Sequence, residues 1–146
     1  MGFEGIERVF IDKCRLLPNR IIVVGVSGGP DSLTLMNLLY LAGYPLIIAH
    51  QNHSLRDAAD EDARYVRSIA ERYQLPYRQA VNDVAKFARE HALTLEEAAR
   101  KVRYKFLFEL AREVGAQAVA VGHTADDQVE TVVMHLLRGS GLTGLK

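Results

Sequence analysis

Ile21-Ile22-Val23-Val24-Gly25-Val26-Ser27-Gly28-Gly29-Pro30-Asp31-Ser32 is the stretch around which the chain is organised. Five of its first six residues are apolar and mostly β-branched, the composition of a strand buried on both faces. The run Leu33 to Leu41 that follows is apolar with a helical period. A strand, a glycine-rich turn and a helix in that order aim free backbone N–H groups and the positive end of a helix dipole at one spot, which suits phosphate. Gly28 and Gly29 let the backbone approach a phosphate without a Cβ in the way, and Pro30 fits the first helical turn, where its missing N–H costs little. Asp31 and Ser32 add a carboxylate and a hydroxyl suited to magnesium or to a phosphate oxygen. The plainer alternative is an ordinary strand-to-helix turn, which leaves six polar or small residues at this junction without a reason. The stretch has neither the lysine of a Walker A loop nor the Gly-x-Gly-x-x-Gly spacing of a dinucleotide site.

Working outward, the 146 residues suffice for one domain with a real core. A chain that is 49% hydrophobic and 25% charged is of ordinary soluble globular composition. Eighteen basic residues balance eighteen acidic ones, so this chain taken alone carries no electrostatic footprint for nucleic acid. No apolar run approaches the roughly 20 residues of a membrane span, and Met1–Pro18 is mixed rather than signal-like. No membrane partner and a cytoplasmic location are therefore expected. The single Cys14 excludes an internal disulfide and an all-cysteine metal site; among Val9, Phe10, Leu16 and Leu17 it reads as a small apolar residue.

Phe3–Leu17 has an approximately helical apolar stripe, ended by Pro18 and Asn19. After the strand Ile21–Val26 the pattern predicts a helix from about Asp31 to Ala42, a strand Leu46–Ala49 and a polar loop Gln51–Asp57. A helix Asp60–Tyr73, a strand Pro76–Val81 and a short helix from Asp83 to His91 follow. Thr94 with Glu97 forms a capping box for a long helix, Leu95–Val114, stopped by Gly115. Ala118–Val121 is a fourth strand, and a last helix runs from about Ala125 to Leu137 before a glycine-rich tail. Alternation at this spacing predicts a Rossmann-like three-layer α/β/α fold with a mostly parallel sheet. Functional groups then belong at the carboxyl ends of the strands, near the point where strand order reverses. The chain stops where a fifth strand is due, as a fragment of a longer protein would.

Three groups of residues break their local pattern. His50, Asn52, His53 and Arg56 crowd the segment after the second strand: a solvated loop by composition, a functional one by its place beside the phosphate turn. Two histidines three apart have no carboxylate or cysteine at a metal-site spacing. On the helix Leu95–Val114, Arg103 projects into the apolar stripe of Ala99, Val102, Phe106, Leu110 and Val114. A guanidinium there either snorkels or pairs with a structural carboxylate, or else it awaits a phosphate or substrate. His123, Asp126, Asp127 and Glu130 form the third group. Acids in a first helical turn are often dipole partners only. Glu130, however, shares a face with Val133, Met134 and Leu137, and three carboxylates with a histidine exceed what capping needs. They could hold magnesium, orient an amine or take its proton.

Ser27-Gly28-Gly29-Pro30-Asp31-Ser32 resembles the Ser-Gly-Gly-x-Asp-Ser signature of the PP-loop ATP pyrophosphatases, which cleave ATP between the α and β phosphates and transfer AMP to an oxygen. Three more segments narrow the likeness: His50-Gln-Asn-His-Ser-Leu-Arg56, Leu95-Glu-Glu-Ala-Ala-Arg-Lys-Val-Arg-Tyr104, and Gly122-His-Thr-Ala-Asp-Asp-Gln-Val-Glu-Thr131 with the Leu136–Leu145 stretch beyond it. Together the four look like the N-terminal catalytic domain of the tRNA(Ile)-lysidine synthetases. The likeness covers nearly the whole chain and makes residues 1–146 one PP-loop domain lacking the C-terminal domains that grip tRNA. It implies a ligase that binds ATP and Mg2+ and adenylates C2 of the wobble cytidine of tRNA(Ile). Free L-lysine then displaces AMP to give lysidine. By motif match, Ser27, Gly28, Gly29, Pro30, Asp31 and Ser32 would hold the phosphates, with Asp31 near magnesium. His53, Arg56 and Arg103 would contact substrate, Arg103 at the reacting phosphate or base. His123, Asp126, Asp127 and Glu130 would form the cytidine and lysine site. Gln51 and Ser54 stand where valine and glycine are more usual. Alternatives are a PP-loop tRNA thiolase, disfavoured by the single cysteine, an amide-forming ligase, and an ATP-binding module without catalysis.

Overall fold

The computed structural model describes residues 3–54 and 58–122. A short helix α1 (Phe3–Arg8) runs into a π-helical turn, Val9–Lys13. Then come β1 (Ile22–Gly25), α2 (Pro30–Leu41), β2 (Leu46–Asn52) and α3 (Ala59–Arg72). They are followed by β3 (Tyr77–Val81), α4 (Val84–Glu90), α5 (Leu95–Glu113) and β4 (Ala118–Val121). The expected last helix and glycine-rich tail lie outside the described residues.

The four strands form one all-parallel sheet in the order β3-β2-β1-β4. β1 is central because every side chain on it has an apolar layer to enter. Ile22 and Val24, with Val26 just beyond the strand, pack with Leu35, Met36 and Leu39 of α2 and Val66 of α3. Val23 faces the other way, with Ile47, Val119 and Val121, onto Leu107 and Leu110 of α5. Helices thus cover both faces, and the strand order reverses between β1 and β4. That reversal leaves a crevice at the carboxyl ends of the strands.

Two expectations need correction. The first helix does not reach Leu17: Arg15 adopts φ 51°, a left-handed conformation that no helix continues through. Leu16 nevertheless turns into the core. Gln51 and Asn52 are not loop but the end of β2, paired with Ala80 and Val81. Their polarity misleads because each side chain is spent on hydrogen bonds to other segments of the fold. Gln51 Nε2 donates to the Ala80 carbonyl and to Asn82 Oδ1, and Asn52 Nδ2 to Asp60 Oδ1.

Candidate functional site

The turn after β1 is built by its serines. Ser32, 3% exposed, receives a hydrogen bond from Ser27 N at 3.2 Å and donates its own hydrogen to the Gly29 carbonyl at 3.0 Å. The contact between the two hydroxyls, 3.2 Å, therefore runs from Ser27 to Ser32, and Ser27 Oγ in turn accepts from Gly29 N at 3.3 Å. Both hydroxyl protons are thus used inside the turn. What remains outward is backbone. Gly29 is the N-cap of α2 and no side chain among the described residues caps the helix, while Pro30 has no N–H to offer. Gly28 takes φ 95°, which an L side chain resists; a Cβ there would also touch Val66 of α3 at 3.4 Å. The free N–H groups and positive dipole end of a twelve-residue helix behind a glycine turn are of the kind that suits an anion.

Beside this turn a cleft of about 350 Å³ opens across the carboxyl ends of β1, β2 and β4. Ser27, Ser32, His50, His53, Arg103 and Gly122 are on its wall. Gly28, Gly29, Pro30 and Asp31 belong to the turn but do not line the cleft. Arg56, His123, Asp126, Asp127 and Glu130 lie outside the described residues.

Arg103 reaches the cleft from α5. The buried residues of that helix are Ala98, Val102, Leu107 and Leu110, with Ala99, Phe106 and Val114 half-buried. The stripe is therefore rotated from the expected one towards Leu107, the neighbour of Arg103 on the cleft wall. Burial pushes the Arg103 guanidinium below its ordinary range; Tyr104 opposes this and Arg100 adds to it. Among the described residues no carboxylate forms a salt bridge with Arg103.

His50 and His53 play different parts. His50 is 4% exposed, and its Nδ1 lies 2.8 Å from the Val26 carbonyl. A carbonyl only accepts, so Nδ1 carries the hydrogen of this bond and the ring's orientation is held by it. His53 has a buried Nδ1 with no hydrogen-bond partner among the described residues. Burial, then Arg103, then His50 push its pKa below the usual 6.5. Ser54, which follows, takes φ 51° and donates its N–H to Asn52 Oδ1 at 2.9 Å. A glycine would adopt that backbone freely.

Gly122 heads the segment Gly122–Thr131 in the sequence, but no role follows for it from pattern. A Cβ on it would sit 3.0 Å from Asp31 C and Ser32 N and 3.1 Å from Asp31 O. The legible signal was a glycine directly after a strand, on the edge where the phosphate turn was expected.

Asp31 is a half-buried carboxylate in the first turn of α2, and no group of three metal-type donors occurs among the described residues. Mg2+ is commonly held by one or two carboxylates together with substrate phosphates, so Asp31 fits magnesium brought by a nucleotide. No helix among the described residues is long and apolar enough to cross a membrane.

The family model of the PP-loop domain matches residues 5–146. A tRNA(Ile)-lysidine synthase of Dehalococcoides mccartyi is 48% identical over 130 residues, covering 86% of this chain and 28% of that protein. One of Parabacteroides distasonis is 41% identical over 140 residues, covering 94% of this chain and 32% of that protein. The chain thus spans about a third or less of the length of these curated relatives. Among solved structures, the U34-tRNA thiolase NcsA from Methanococcus maripaludis superposes with a TM-score of 0.69 at 19% identity, over 84% of this chain and 44% of that one. An NH3-dependent NAD synthetase from Campylobacter jejuni gives 0.63 at 18% identity, over 82% and 56%. At such identities the likeness is one of fold.

Proposed function

The chain belongs to the PP-loop domain family, and from that premise we propose that it is the ATP-binding catalytic part of a tRNA(Ile)-lysidine synthetase. The proposed reaction has two steps. ATP adenylates the C2 oxygen of the wobble cytidine of tRNA(Ile), releasing pyrophosphate. The amino group of free lysine then displaces AMP to give lysidine. The observation that supports this best is two anion-seeking features on one cleft: the uncapped start of α2 and a half-buried Arg103 without a described carboxylate partner.

In this reading the N–H groups at the start of α2 take the phosphates and stabilise the charge that develops on the leaving pyrophosphate. Asp31 would hold Mg2+, which when bound neutralises phosphate charge. Arg103 would contact the reacting phosphate or base, and His53 and Arg56 the substrate. His123, Asp126, Asp127 and Glu130, next along the chain from β4, would receive cytidine and lysine. A lysine ammonium must lose a proton before attack, and a partly buried carboxylate can bind and deprotonate it. The relatives' names favour lysidine formation over thiolation or amide formation. tRNA and lysine are the proposed partners of the complete enzyme.

The first test is calorimetric titration with a non-hydrolysable ATP analogue and magnesium. Binding by the wild type and its loss in Asp31→Ala are expected; equal affinity in both would remove the phosphate-turn assignment. In the full-length protein, Glu130→Ala and Arg103→Ala are expected to abolish lysidine formation while the fold survives. Normal turnover in both would reduce these residues to structural ones.

A further inference from the structure

We propose that Gly122 is a positioning residue: its bare Cα lets the backbone at the carboxyl end of β4 lie directly against the Asp31–Ser32 peptide of the phosphate turn. This rests on the reading of Ser27–Ser32 as that turn. A Cβ on Gly122 would be crowded by Asp31 C, Ser32 N and Asp31 O at 3.0, 3.0 and 3.1 Å, so this backbone would have to give by a few tenths of an ångström. These are backbone atoms and cannot swing aside as a side-chain rotamer can. Gly25 offers the contrast on the same seam: its added Cβ would meet Val121 Cγ1 at 3.0 Å and Leu107 Cδ1 at 3.2 Å, side-chain atoms of the buried core rather than backbone. Nor does Gly122 need glycine for its torsions, since its φ is not among the positive ones. The requirement is steric alone.

The peptide that Gly122 touches is functionally placed. Ser32 N is one of the first N–H groups of uncapped α2, and Ser32 Oγ closes the hydrogen-bond ring of the turn. Gly122 is also the last residue before His123, where the third group of pattern-breaking residues begins. One close contact therefore sets the phosphate turn and the exit of β4 against each other, across the strand-order reversal.

Gly122→Ala in the full chain tests this, with Val84→Ala as a control for general loss of stability. Val84 is fully buried in the cluster between α4 and α5 and is absent from the cleft wall. Without ligand, amide exchange over residues 27–33 should quicken in Gly122→Ala and stay unchanged in Val84→Ala. Affinity for the non-hydrolysable ATP analogue should fall at least tenfold in the first and stay within twofold in the second. Wild-type exchange and affinity in Gly122→Ala, or an equal loss in Val84→Ala, would overturn the proposal. If the wild type fails to bind the analogue, the phosphate-turn reading falls, and the exchange data still decide the steric role of Gly122. Should Gly122→Ala not fold, exchange in the wild type decides. The Gly122 amide should then slow together with Asp31 and Ser32 on analogue binding, and an unresponsive Gly122 amide would refute the contact.

Discussion

His53 and Arg103 share the wall of the cleft, and the guanidinium lies close enough for its charge to hold the imidazole below its ordinary pKa. Burial is the larger cause of that depression, and His50 adds to it. The folded chain therefore refuses a proton that the unfolded chain accepts near pH 6.5. Where the unfolded state binds more protons, stability rises with pH. The His53 contribution should be flat above neutrality and turn destabilising as pH falls through 6.5, until the folded imidazole also protonates. Melting temperatures of wild type and His53→Gln between pH 8 and pH 5 check this, and the acid-side loss should be smaller in the variant.

Arg103 is expected to separate stability from binding. Arg103→Met keeps an apolar stem of similar length and removes a half-buried charge that no described carboxylate pairs. Replacing such a charge by an apolar group is often neutral or stabilising. A charge-assisted hydrogen bond to a nucleotide is worth about 1.5–3 kcal/mol, so affinity for the ATP analogue should fall roughly 10- to 100-fold. A destabilised variant with unchanged affinity would mark Arg103 as structural.

Ser32→Ala should cost more than Ser27→Ala. Ser32 is buried and joins Ser27 N, Ser27 Oγ and the Gly29 carbonyl through one oxygen, whereas Ser27 is exposed. Leaving such groups unsatisfied costs roughly 1–3 kcal/mol. Denaturant titration of the two variants gives the comparison, and equal losses would contradict the hydrogen-bond ring.

Much of this was legible in the sequence because burial on both faces of a sheet leaves a coarse apolar record. β1, β4 and the Thr94 to Glu97 capping box follow from it or from local chemistry, and all are found in the structure. β2 was read three residues short because His50, Gln51 and Asn52 satisfy their polarity with partners distant in sequence, such as the Val26 carbonyl and Asn82. The steric role of Gly122 is illegible for the same reason, although the residue heads the Gly122–Thr131 segment. Its constraint is a backbone ninety residues earlier in the chain, and hydrophobic periodicity carries no trace of it.

Ser54→Gly is expected to be an unusual glycine substitution that does no harm. Holding a non-glycine residue in the left-handed region costs roughly 1–2 kcal/mol, and glycine's extra unfolded-state entropy costs about 0.5–1 kcal/mol in return. The hydrogen bond from residue 54 N–H to Asn52 Oδ1 uses backbone only and survives the change. Thermal unfolding should show stability unchanged or raised by up to about 1 kcal/mol; a clear loss would mean that the serine hydroxyl has a role of its own.

Gln117 fastens the N-terminal segment to the sheet, and its removal should be the most damaging polar substitution away from the cleft. It is 8% exposed. Oε1 accepts from Leu17 N at 2.8 Å, and Nε2 donates to the carbonyls of Leu17 and Arg20, both at 2.9 Å. One amide thus satisfies three backbone groups of a segment without secondary structure, about a hundred residues away in sequence. Gln117→Leu strands all three and should cost roughly 1–3 kcal/mol. Gln117→Glu is the sharper probe, because a carboxylate of the same shape accepts from Leu17 N yet turns its second oxygen on two carbonyls. It should destabilise at neutral pH and recover part of the loss as acid protonates the carboxyl. Denaturant midpoints at pH 7 and pH 5 for both variants check the sign. A Glu variant as stable as wild type at pH 7 would show that the three contacts do not hold the segment.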